Sequence, residues 1–249
     1  MKRAIIALLM LACAVDAMAQ GPMFVRRRSA PPVSTAVPLD PRLIAWYKLD
    51  LSHTNTDGTF TDLSGNGNSL TNYGGVIGAT YTTLDGTDDW MGTGTNISTL
   101  LRLPVAWTAT NRLTRRTFMI SMFPTAIDND GILQVGYGAT KFYSYAYTGN
   151  ATYDEFLSAA IPTNAWYVHC LAATNNDSTG HTRYLYTNGV LSATNYFACG
   201  VTFASDPLWV GRYYFTGMYT FAGRISEVRV YNKTLSSSEQ WTVYQEMKQ

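Results

Sequence analysis

Residues that carry chemistry are scarce in this 249-residue chain. It holds three histidines and three cysteines, and only 14% of its residues are charged. His53, His169 and His181 have no metal-ligand spacing, so none is expected to act as a zinc ligand or a catalyst. No G-x-S-x-G elbow occurs, which removes the commonest sequence sign of a serine hydrolase. There is no internal repeat and no long helical periodicity before Leu235. The apolar run from Ala4 to Val15 is about a dozen residues, short of the roughly 20 that a membrane-spanning helix requires.

That run has another reading. Lys2-Arg3 supply a positive start, and Ala17-Met18-Ala19 form an A-x-A cleavage site before Gln20, so residues 1–19 read as a secretion signal. The competing reading is a lipid anchor at Cys13, with Leu11 a poor fit to that pattern. The expected destination is extracellular, periplasmic or cell-surface. Cleavage leaves equal numbers of basic and acidic residues, and a neutral chain exerts no general pull on nucleic acid. Residues 20–41 form a proline-interrupted linker with Pro22, Pro31, Pro32, Pro38 and Pro41. Its Arg26-Arg27-Arg28 triplet is either a solvated spacer or a docking tail.

Two cysteines remain after cleavage, Cys170 and Cys199. In an oxidising compartment they could close a loop of about 30 residues, worth about 3 kcal/mol if unstrained. Two buried thiols are the alternative, since cysteine packs as a small hydrophobe.

From residue 42 onward, short apolar runs alternate with turn clusters such as Asp57-Gly58, Gly65-Asn66-Gly67, Gly74-Gly75 and Asn188-Gly189. This pattern predicts one all-β sandwich over residues 42–249. Phe118, Ile120 and Met122 share one face of their strand, and Tyr143, Tyr145 and Tyr147 share a face of another. Trp46, Trp166 and Trp209 lie in apolar runs and are assigned to the core or the sheet ends. Ser236 with Glu239 is a capping-box signature, predicting a terminal helix over residues 237–247 that turns Trp241, Val243 or Tyr244, and Met247 toward the sandwich.

Several segments carry a family resemblance. Leu208-Trp209-Val210-Gly211, then Gly223 to Tyr231 and the capped helix, form its clearest part. Ahead of them come Leu43 to Leu49, the Asp62-Leu-Ser-Gly-Asn-Gly67 turn, Leu84-Asp-Gly-Thr-Asp-Asp-Trp90, Trp166 to Leu171, and Tyr184-Leu-Tyr-Thr-Asn-Gly189. In this order the chain resembles the laminin-G-like, concanavalin A-like family. The resemblance implies a two-sheet antiparallel jelly roll with a short C-terminal helix, a fold used mostly for recognition. Two departures stand out: Val168-His169 reverses the usual order, and Ser226 replaces a common aspartate.

The resemblance also implies where a structural calcium would bind, at Asp62 and Asn66 of the turn and Glu227 on the last strand. The same turn suits an Asx turn with glycines at positive φ. Enzymes of this fold would show E-x-D-x-E or Q-I-H with Y-F-K-x-G, and the chain has neither, so no catalytic residue is expected. The candidate ligand surface is Tyr143, Tyr145 and Tyr147, supplemented by Tyr213 and Tyr214, because aromatic faces stack on sugar C–H faces; the alternative is that these are ordinary tyrosines of sandwich strands. The leading expectation is an exported, non-catalytic module that binds an extracellular glycan or a surface protein. The alternatives are a polysaccharide-active hydrolase or lyase and a structural subunit of a surface assembly.

Overall fold

In a computed structural model, the residues described are 40–93, 115–125, 130–135, 142–146, 163–175, 181–197, 208–212 and 220–249. Side chains are not described for residues 115–116, 130–135, 142–146, 175, 181 and 197. The β-branched and aromatic runs form two antiparallel sheets, as an alternation of apolar and turn residues requires. In chain order the strands are β1 (Leu43–Lys48), β2 (Thr59–Phe60), β3 (Leu70–Tyr73), β4 (Val76–Ile77), β5 (Thr82–Asp85), β6 (Trp90–Gly92), β7 (Arg115–Pro124), β8 (Asp130–Val135), β9 (Phe142–Ala146), β10 (Tyr167–Asn175), β11 (His181–Thr187), β12 (Val190–Phe197), β13 (Leu208–Val210) and β14 (Ala222–Tyr231). A single α-helix among the described residues, α1 (Ser237–Met247), follows.

One sheet runs β12-β11-β10-β7-β14-β5-β4, and β1 also pairs with β14. The long β14 therefore offers one edge to β7, while β5 and β1 share its other edge end to end. The second sheet runs β2-β3-β6-β13-β8-β9. This is the jelly-roll sandwich expected from the sequence.

Alternation sorts the side chains. Ile44, Tyr47, Phe60, Leu70, Leu84, Met91, Phe118, Ile120, Met122, Leu171, Leu208, Val210, Ile225 and Val228 are buried together between the sheets. A second cluster lies on the outer face of the eight-stranded sheet, where Met119, Val168, Cys170, Tyr186 and Tyr231 meet Leu235 and Met247 of the helical segment. β7 and β10 are thus apolar on both faces because α1 covers the side that water would otherwise reach.

The capping box forms as expected: Ser236 Oγ accepts from the Glu239 N–H, and the Glu239 carboxylate accepts from the Ser236 N–H at 2.7 Å. The helix face differs from the sequence expectation at one position. Gln240 and Met247 are buried with Val243 and Tyr244 packed beside them, whereas Trp241 is 48% exposed. Gln240 takes the inward place because its Oε1 accepts the Cys170 Sγ–H at 2.7 Å, giving a polar group a partner inside an apolar seam. Cys170 occurs as a buried free thiol, and Cys199 lies outside the described residues.

Candidate functional site

The turn that the sequence suggests for a cation is built by hydrogen bonds to the protein itself. Asp62 Oδ1 accepts from the N–H groups of Trp46 and Ser64, both at 3.0 Å, and Oδ2 accepts from the Asn68 N–H at 2.9 Å. Asn66 Nδ2 donates to the Leu43 carbonyl at 3.2 Å and to Ser64 Oγ at 3.0 Å. Gly65 and Gly67 sit at φ +80° and +74°, which lets the backbone curl around the carboxylate. Glu227 accepts from Trp46 Nε1 at 2.7 Å and from Arg229 Nε at 2.6 Å. Arg229 also bonds Glu246 at 2.5 Å and lies 4.8 Å over the Trp46 ring.

Asp62 and Glu227 each bond Trp46 and Asn66 bonds the Leu43 and Ile44 carbonyls, yet the three do not fit a calcium ion. The carboxylate of Asp62 is taken by amides, the amide of Asn66 presents its donor end, and a guanidinium already neutralises Glu227. The turn is an Asx-type organiser that fastens the loop to β1. A different acidic group occurs where β5 leads to β6: Asp85, Asp88 and Asp89 bring carboxylate oxygens within 4.8 Å of one another. Asp85 Oδ1 accepts from the Thr87 N–H at 2.7 Å, which lowers its pKa, and burial raises that of Asp89. Asp89 Oδ2 accepts from the Asp85 N–H at 3.0 Å, so this group also shapes a turn.

A surface of another kind stands on the six-stranded sheet. Met91, Leu70, Leu208 and Val210 point into the core, so Tyr73 of β3, Trp90 and Gly92 of β6, and Trp209 of β13 lie on the opposite face. Tyr73 and Trp90 are cross-strand partners whose rings stack at 3.9 Å with 9° between their planes. The Arg212 guanidinium lies 5.1 Å over the Trp90 ring. An ideal Cβ at Gly92 would meet Trp90 at 2.5 Å and Trp209 at 3.1 Å, so the two indoles close over a position that only glycine leaves open. Tyr73 is 37% exposed and Trp90 and Arg212 are half-buried, whereas Trp209 is buried.

Strand register carries the row further. Thr71 pairs with Gly92, Gly92 with Trp209, Trp209 with Gln134, and Gln134 with Tyr143. Directly paired residues occupy the same face, so Tyr143 on the edge strand β9 belongs to the face that bears Trp90 and Trp209. Tyr145, two residues on, has the same parity and pairs with Gly131 beside a bulge. Tyr147, Tyr213 and Tyr214 lie outside the described residues. Tyr73, Trp90 and Arg212 were not singled out from the sequence as ligand residues. The available signal was pairing: Trp90 ends a turn and Tyr73 precedes one, and only register joins them.

The architecture and these motifs define a lectin-like jelly roll. A family model described as the concanavalin A-like lectin/glucanases superfamily matches residues 105–239, and the chain belongs to that family. No curated protein matches the chain in sequence. Among solved structures, Trypanosoma rangeli sialidase in complex with sialic acid is similar with a TM-score of 0.55 and 14% identity; the match covers 84% of this chain and 34% of the sialidase. Domain 4 of AbnA, a GH43 extracellular arabinanase from Geobacillus stearothermophilus solved in complex with arabinotriose, is similar with a TM-score of 0.53 and 16% identity. That match covers 82% of this chain and 98% of the domain. At these identities the likeness is one of fold. The chain spans about a third of the sialidase's length.

Proposed function

We propose that this chain is an exported, non-catalytic recognition module that binds an extracellular glycan on the outer face of its six-stranded sheet. The observation that carries the reading is the Tyr73–Trp90 stack with Arg212 above it, continued by register toward Tyr143. Aromatic rings held flat on a sheet stack on the apolar C–H face of a pyranose or furanose, and a guanidinium beside them hydrogen-bonds the ring hydroxyls. Export rests on the positive start, apolar run and A-x-A site of residues 1–19. Two structural neighbours, the sialidase with sialic acid and the arabinanase domain with arabinotriose, support a sugar as the ligand class.

The non-catalytic reading rests on how carboxylates are used. A glycosidase keeps two of them about 5–9 Å apart across a groove and free to exchange protons. Here Asp62 and Asp85 hold turn amides, Glu227 and Glu246 hold Arg229, and Glu239 caps a helix. A glycan-array screen of the purified protein beside Tyr73→Ala and Trp90→Ala tests the proposal. Specific binding should fall at least about tenfold in either variant, the loss of one stacked ring contact, with the circular dichroism unchanged. Binding that survives both substitutions, or an array with no bound sugar, would contradict it.

A further inference from the structure

The opposite side of the molecule bears a separate aromatic group that the glycan face does not use. Tyr81, Phe123 and Arg224 lie on the outer face of the eight-stranded sheet, next to the part that α1 covers. The Arg224 guanidinium sits 5.0 Å over the Tyr81 ring and 5.2 Å over the Phe123 ring. Trp166 tilts against both rings, at 5.9 Å from Tyr81 and 5.6 Å from Phe123. Stacking uses the flat face of a guanidinium and leaves its edge donors available. Arg224 makes no hydrogen bond or ion pair among the described residues.

Next to this group is a cavity of about 90 Å³ lined by Ser121, Trp166, Val168, Asn188, Tyr244 and Lys248, among others. Ser121 is 1% exposed, and its hydroxyl has no hydrogen-bond partner among the described residues. A buried hydroxyl left without a partner is a cost that a ligand can relieve. Charge on this face is also unbalanced. Glu227, opposite Ser121 in the register, and Glu246 on α1 are both engaged by Arg229. Lys248 lines the cavity and Arg224 stands over the rings that Trp166 of its wall touches, two cations with no ion pair among the described residues.

The geometry points to a second ligand site here, one that takes a carboxylate-bearing sugar of the uronic acid class. Arg224 receives the carboxylate on its free edge, Trp166 stacks on the sugar ring, and a ring hydroxyl bonds Ser121 Oγ in the cavity. An acidic peptide side chain supplies the carboxylate but neither the flat C–H face nor the hydroxyl. The site is independent of the Tyr73–Trp90 face, since it lies on the other sheet.

The test is calorimetric titration of the purified protein with trigalacturonate, with galactotriose and a Glu-rich peptide as comparisons. Saturable binding of trigalacturonate is expected, with affinity at least about tenfold weaker in Arg224→Gln for loss of a charge-assisted contact. Arg224→Lys should be intermediate, because it keeps the charge and loses the fork. Ser121→Ala, which removes only the unpartnered hydroxyl, should weaken binding without unfolding. Absence of saturable binding, equal affinity for galactotriose or for the peptide, or an unaltered affinity in Arg224→Gln would overturn the assignment.

Discussion

Single residues decide whether the aromatic face exists. Gly92 is the clearest case, because a methyl there would sit 2.5 Å from Trp90 and 3.1 Å from Trp209. Gly92→Ala should displace the indoles, abolish glycan binding and cost about 1–3 kcal/mol of stability from overpacking, measurable by urea unfolding. His169 contributes to the acid response. It is 1% exposed, and burial lowers its pKa to about 4, below the ordinary value of 6.5. The folded state therefore holds it neutral while the unfolded chain takes up a proton. Its stabilising contribution is full above about pH 6.5 and is lost as pH falls toward 4, by roughly 3 kcal/mol in total. Urea midpoints measured between these pH values should fall steeply for the wild type and less steeply for His169→Gln. Equal slopes would remove His169 from the account.

At the scale of elements, α1 is fastened by charge as well as by apolar packing. Its capping box is joined by an ion pair from Arg42 to Glu239, and the Ser236 N–H followed by the Arg42 guanidinium lowers Glu239 to about 2. Arg229 links β14 to Glu246 of the helix and to Glu227, with both Arg229 and Glu227 side chains below 10% exposure. Arg229→Met should cost about 3–5 kcal/mol, because it strands Glu227 as a buried carboxylate, and Glu227→Gln in the same chain should recover much of it. A double-mutant cycle by thermal unfolding checks this, and an additive result would contradict it. The helix span and its cap were legible because Ser236 and Glu239 have fixed spacing. The inward choice of Gln240 over Trp241 was not, because it depends on Cys170 of a strand seventy residues away. The role of Asp62 was similarly open in sequence, where an Asx turn and a calcium ligand share the same residues. Only the three amides it accepts distinguish them.

On the scale of the whole molecule, the sandwich was readable from turn spacing and strand alternation, which are local properties. The face proposed to bind ligand was only half readable. Tyr143 and Tyr145 form a stripe within one strand, but Tyr73, Trp90 and Trp209 join that face through long-range pairing that no sequence period reports. On the proposed reading, this face of the six-stranded sheet binds sugar and the helix-covered sheet does not share that site. The most direct measurement is the response of the tryptophan indole N–H signals in a nuclear magnetic resonance titration with the glycan selected on the array. The Trp90 signal is expected to move saturably while those of Trp46 and Trp241, on the other sheet and its helix, stay in place. A stationary Trp90 signal while Trp46 or Trp241 moves would contradict that reading.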